Sequence, residues 1–244
     1  MSWTRLPWAK MPSAWISERM ALRSFQAGSP GPSIAALKLY LTILGEVRHG
    51  EGSEGLGCAR LSYTQLETLA DLSRSMIRPG LDLLTSQKLV RAEVGDGRTH
   101  VYAVTGYPPP GQPGWRMIPI GHLRRSGFFQ RISARSKADL AALKVYFVLA
   151  TFRDGKTGET SLSYEKINHY TGVGRNDVSR ALSRLVDLDT VRIHSGRDSY
   201  DTGNQGYNRY ELLGLGQPKR EVAGSGWSAV GSMPFTDADQ VDFG

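Results

Sequence analysis

The sequence predicts a mainly α fold with small β-hairpins, of the α+β class, built as two copies of one unit. Three observations carry this. First, Ala35-Ala36-Leu37-Lys38-Leu39-Tyr40 recurs as Ala141-Ala142-Leu143-Lys144-Val145-Tyr146, an offset of 106. Second, Leu61-Ser62-Tyr63 recurs as Leu162-Ser163-Tyr164, an offset of 101. From there Leu66/Ile167, Arg74/Arg175, Ile77/Val178, Leu81/Leu182, Leu84/Leu185, Val90/Val191 and Gly95/Gly196 keep step without a gap. Third, the segments after these repeats change from helical to alternating periodicity in the same order.

The elements follow in chain order. Trp8, Pro12 and Ile16 form an apolar lead-in that returns as Trp115, Pro119 and Leu123 at an offset of 107. In the second copy, Ala138 to Phe152 has the apolar density of a buried helix, and Arg153 to Gly158 is a turn-rich loop. Ser163 is placed to cap a helix from Tyr164 to about Tyr170, with Glu165 in its first turn. Gly172-Val173-Gly174 breaks that helix. The next begins near Arg175 and puts Val178, Ala181, Leu182 and Leu185 on one face. Val191 to His194 and Tyr207 to Leu213 read as two strands around a glycine-rich hairpin. The first copy matches, with Leu89 to Val94, the turn Gly95-Asp96-Gly97, and His100 to Val104.

This divides the chain into a first unit with its lead-in at 1–107, a Pro/Gly linker at 108–114, a second unit at 115–216 and a tail at 217–244. Three consecutive prolines in the linker favour an extended, semi-rigid spacer. The tail is rich in Gly, Ser and Asp and is expected to be disordered.

Helix, short helix, tight turn, helix and β-hairpin is an order that resembles the winged helix–turn–helix proteins. The motifs are Ser163-Tyr164-x-x-Ile167, the turn Thr171 to Gly174, and Val178-Ser179-Arg180-Ala181-Leu182-x-x-Leu185, with Leu72-Ser73-Arg74-Ser75, Ile77, Leu81 and Leu84 in the first copy. The apolar lead-ins and the tandem arrangement are similar to plasmid and phage replication initiators and to winged-helix transcription regulators. The resemblance implies double-stranded DNA as partner, with the second helix of each pair in the major groove. One departure stands out. Pro79-Gly80 occupies the place of Arg180-Ala181. Proline costs a helix interior about 3 kcal/mol and glycine about 1. The first recognition helix is therefore expected to be kinked or to start late, and to read bases poorly or act as an interface.

The expected DNA-binding residues are Arg74, Ser75 and Arg78 on the first recognition helix and Arg175, Asn176, Ser179 and Arg180 on the second. Arginine pairs with guanine and asparagine with adenine. Lys166 and Arg184 are expected to contact phosphate, which positions without specifying. Arg98 and Arg197 are the expected contacts of the two hairpins. Arg116, His122, Arg124, Arg125, Arg131, Arg135 and Lys137 are candidates to extend the basic footprint.

Charge agrees with an acidic partner. The chain has 244 residues and a net +7. All 30 basic residues but only 19 of the 23 acidic ones fall in 1–220, giving +11 there and −4 in the last 24. The acidic tail is read either as a solvated end or as a docking segment for a protein partner.

Other classes are disfavoured. Cys58 is the single cysteine, so neither an internal disulfide nor a Cys-rich zinc site is expected. Gly50-Glu51-Gly52-Ser53-Glu54-Gly55 matches a dinucleotide fingerprint only formally, because it follows a helix and carries two glutamates. No Walker A sequence or HExxH occurs, and the five histidines are isolated. No enzyme activity, cofactor or metal is expected. No signal peptide or membrane span is expected either, which gives a cytoplasmic, nucleoid-associated location. The expectation is thus sequence-specific DNA binding in replication initiation or transcriptional regulation, on a mobile element or in a bacterium. A tandem winged-helix protein-interaction subunit of a chromosome-organising or partition complex remains the alternative, and a homodimer remains open.

Overall fold

The computed structural model describes residues 6–47, 55–95, 97–109, 111–194 and 208–215. It is a mixed helix and strand protein in which helix predominates. Among the described residues, no helix is long and apolar enough to cross a membrane.

Among the described residues, the chain runs twice through the same nine-element order. The first run is β1 (Ala9–Pro12), α1 (Ala14–Ser17), the 3-10 turn η1 (Ala21–Ser24), α2 (Pro30–Glu46), β2 (Cys58–Ser62), α3 (Tyr63–Ala70), α4 (Arg74–Ser86), β3 (Val90–Val94) and β4 (Thr99–Val104). The second is β5 (Trp115–Ile118), α5 (Ile120–Arg125), α6 (Phe128–Arg131), α7 (Lys137–Thr151), β6 (Glu159–Ser161), α8 (Tyr164–Thr171), α9 (Arg175–Asp187), β7 (Val191–His194) and β8 (Arg209–Leu212).

The central helices are α2 and α7. Every residue from Ser33 to Leu44 is buried on α2, and on α7 every residue from Ala142 to Thr151. A helix buried all round belongs at the middle of a core. Their starts follow from local chemistry. Pro30 opens α2, where its missing N–H costs nothing. On α7, the Ser136 hydroxyl accepts from Asp139 N at 3.1 Å. The two helices pack on each other, and buried residues of both runs form one continuous cluster. Trp15 sits at the join, edge-on to Tyr40 at 5.3 Å and to Phe147 at 5.5 Å.

Each run has a three-stranded antiparallel sheet, in order β2-β4-β3 and β6-β8-β7. The sequence indicated only the outer hairpin of each. The third strand is missed because Cys58-Ala59-Arg60 and Glu159-Thr160-Ser161 carry little branched or aromatic content. They are strands because β4 and β8 offer them a free edge. The lead-ins are not merely apolar lead-ins either. β1 pairs antiparallel with β5, placing Ala9 opposite Ile118 and Pro12 opposite Trp115. Gly114 O, at the end of the Pro/Gly segment, accepts from both Ser13 N at 3.0 Å and Ser13 Oγ at 3.2 Å. A ribbon therefore joins the start of one run to the start of the other.

The expected late start does not occur: α4 begins at Arg74, the place of Arg175 on α9. The α4 helix is continuous from Arg74 to Ser86, with Pro79 inside it. Gly80 faces α2 so closely that a Cβ there would lie 2.7 Å from Leu39 Cδ1 and 3.0 Å from Ala35 C. Glycine is what lets α4 reach α2 at this point.

Candidate nucleic-acid interface

The helix pairs α3–α4 and α8–α9 are positioned by caps. Ser62 Oγ accepts from Gln65 N at 3.2 Å while Gln65 Oε1 accepts from Ser62 N at 2.8 Å, a reciprocal capping box at the start of α3. Ser163 Oγ does the first half of this for α8, accepting from Lys166 N at 3.1 Å. Both helices end on a left-handed residue, Asp71 with φ 49° and Gly172 with φ 68°.

Two buried lysines hold these ends. Lys38, 1% exposed, donates from Nζ to Asp71 O at 2.9 Å. Its counterpart Lys144, 6% exposed, donates to Thr171 O at 3.0 Å. Burial lowers both ammonium groups to a pKa of about 8, partly offset at Lys38 by Asp71 and Asp139 and reinforced at Lys144 by Arg23. Each lysine ties the turn before α4 or α9 to the central helix behind it. The sequence carried the signal, a lysine at the same place in both apolar repeats, but it was not read as structural.

With the turns fixed, α4 buries Ile77, Gly80, Leu81 and Leu84, and α9 buries Val178, Ala181, Leu182 and Leu185. The opposite faces present Arg74, Ser75 and Arg78 on α4, and Arg175, Asn176, Ser179 and Arg180 on α9; all seven are exposed. Three of the arginines have carboxylate neighbours. Arg74 Nε lies 3.7 Å from Glu67, Arg175 Nη1 3.1 Å from Glu165, and Arg180 Nη1 3.2 Å from Asp177. These pairs lie in solvent, where such bridges contribute about 0–1 kcal/mol. A phosphate or a base edge can displace them at little cost. Arg98 is exposed in the turn between β3 and β4. Lys166 is half-buried in the first turn of α8. Arg197 lies outside the described residues, as do Asp96 at the first hairpin turn and the tail 217–244.

Arg184 is a correction. It does not stand free for phosphate. Its Nε lies 2.7 Å from Asp139 Oδ1 and its Nη2 donates to Arg131 O at 2.6 Å. Asp139 is 3% exposed, so losing Arg184 would strand a buried carboxylate. Much of the basic segment ahead of α7 is likewise engaged internally. Arg124 pairs with Glu46 at 2.8 Å, Arg116 Nε donates to Thr151 O at 2.7 Å, Arg131 donates to Asp187 O, and His122 Nε2 shares a hydrogen bond with Asp189 O at 2.6 Å. Arg125, Arg135 and Lys137 remain exposed. Sequence periodicity separates outward from inward positions; it does not distinguish an outward arginine that folds back onto a neighbouring element. Exposed arginines outside these candidates include Arg60 on β2, Arg91 on β3 and Arg192 on β7, Arg91 and Arg192 being equivalent in the two runs.

No protein-family model and no curated protein matches the chain.

Proposed function

We propose that the chain is a sequence-specific double-stranded DNA-binding protein formed by two tandem winged helix–turn–helix domains, at 1–107 and 115–216. It acts in replication initiation or transcriptional regulation, on a plasmid, phage or other mobile element or in a bacterium. One observation carries the reading: two equivalent helices, α4 and α9, expose arginine-rich N-terminal turns while burying their other face on a central helix. A recognition helix needs this division, because its first residues meet base edges while the rest of the fold holds its angle. The body charge of +11 supports the same partner through phosphate neutralisation. The β3–β4 turn, with Arg98, supplies a second contact beside the groove. No catalytic step is assigned.

Arg175→Ala and Arg180→Ala test this by duplex binding. Each should cost about 1–3 kcal/mol and relax preference at one base pair. Affinity of the parent chain should fall steeply with salt. Unchanged binding in both variants, with a flat salt response, would favour a protein target and refute the DNA reading.

A further inference from the structure

The two runs of elements are arranged as the two halves of a symmetric dimer are. Residues of β1 and β5 correspond at an offset of 107, and in the ribbon the paired residues always sum to 127. Lys10 and Met117 are therefore at once equivalent and paired, while Ala9↔Ile118 and Met11↔Arg116 exchange with each other. Only a twofold axis through the Lys10–Met117 pair does this. The equivalent indoles Trp8 and Trp115 stack beside it, 6.2 Å apart and 14° from parallel.

Contacts away from the ribbon obey the same axis. The η1 turn packs on α8, and its counterpart α6 packs on α3, the counterpart of α8. Arg23 Nη1 donates to His169 O across the first of these joins, and beside the second Lys38 Nζ of α2 reaches Ile132 O at the end of α6 at 3.5 Å. Likewise α1 packs on α7, while α5 meets α2 through Arg124 and Glu46. The central helices α2 and α7 pack on each other. Reciprocal contact of this kind, where each patch meets the partner's equivalent, defines an isologous interface. Here it is closed within one chain.

We infer that one copy of the chain reads an imperfect inverted repeat, one half-site per recognition helix. This rests on the DNA-binding reading above. A protein dyad is mirrored by the symmetry of its site, with half-site centres about 10 bp apart or a multiple of that. A direct repeat would require the units to be related by translation, which the ribbon register forbids. The half-sites are alike and unlike in definite places. Arg74 and Arg175 are equivalent first residues of α4 and α9, so both half-sites carry guanine at the matching position. In the alignment Ser75 faces Asn176, Arg78 faces Ser179 and Pro79 faces Arg180, so each half-site is specified at positions that the other is not.

Selection of binding sites from random duplex with the full chain, together with native mass spectrometry of the selected complex, tests this. The expected result is one chain on an inverted repeat whose two half-sites share a guanine and differ at other positions. Arg74→Ala and Arg175→Ala should each lower affinity about tenfold and relax symmetry-related positions, one in each half-site. A direct repeat, a site of one half only, or an inverted repeat that requires two chains would overturn the inference while leaving DNA binding intact. Failure to select any sequence, with affinity indifferent to salt, would remove the DNA reading and this inference with it.

Discussion

The paired lysines behind the turns that lead into α4 and α9 make stability depend on pH in a defined direction. Lys38 and Lys144 ionise near pH 8 in the folded chain and near 10.5 when unfolded. Below pH 8 both states are protonated, and the folded state bears the full cost of a desolvated ammonium. Between about 8 and 10.5 the unfolded chain holds more protons than the native one, so stability rises with pH. A lowering from 10.5 to about 8 corresponds to about 3 kcal/mol for each lysine, taken as an upper scale because both ammonium groups keep backbone partners. Tyrosines oppose this above pH 10. Burial raises Tyr40, Tyr102, Tyr107 and Tyr146 well above the usual range and Tyr210 to about 12, so the unfolded chain ionises first and stability falls. The expected profile is a rise from pH 7.5 to a maximum between 9 and 10, then a decline. Urea denaturation at half-unit steps measures it. Lys38→Met and Lys144→Met should each flatten the rising limb, whatever they do to absolute stability, since each also leaves the Asp71 or Thr171 carbonyl without its donor. A rising limb of unchanged slope in the double variant would refute the assignment of these groups.

Two further perturbations address packing. Gly80→Ala should destabilise by about 1 kcal/mol, because overpacking against the Ala35 backbone, about 1–3 kcal/mol, exceeds the roughly 1 kcal/mol of helix propensity gained; a raised melting temperature would mean that α2 and α4 separate freely. Arg184→Ala should cost about 3 kcal/mol by stranding Asp139, with the base preference of the selected site unchanged; weakened DNA binding at wild-type stability would return Arg184 to the phosphate-contact role.

Repetition made much of the fold legible. A second copy of Ala-Ala-Leu-Lys and of Leu-Ser-Tyr gave two independent samples of one pattern, so helices α7, α8 and α9 begin within a residue or so of where capping and periodicity put them. The exposed arginines of α4 and α9 were legible for the same reason: with the buried stripe known, the outward face follows. Arg184 was not. It is half-buried rather than exposed, because its partner Asp139 is 45 positions away on another helix, and periodicity carries no information across that gap. Pro79-Gly80 misled in the opposite direction. Both residues are poor in an isolated helix, yet α4 is continuous because its position is set by α2, and a Cβ at 80 would push against Leu39 and the Ala35 backbone.

The ribbon between β1 and β5 was the least legible element, although it has the largest consequence. Each strand is only four residues, and Ala-Lys-Met-Pro has neither alternation nor strand propensity to declare itself. Its partner lies more than 100 positions away, so nothing local specifies it. Once paired, though, the register allows only one relation between the two halves. Two similar units on a Pro-rich spacer suggest beads read in tandem, head to tail. Two similar units whose first strands pair antiparallel, and whose central helices share one core, are halves of a closed pair. The spacer 108–114 then has a different task. It returns the chain from β4, the central strand of the first sheet, to the dyad, so that Gly114 meets Ser13 and the second run starts beside the first. Because the same axis relates α4 to α9, any difference in what the two helices bind must come from their side chains, and those differ at Ser75/Asn176, Arg78/Ser179 and Pro79/Arg180. A duplicated unit with a fixed dyad thus keeps the geometry of a dimer while freeing each half to diverge, which a homodimer of identical chains cannot do.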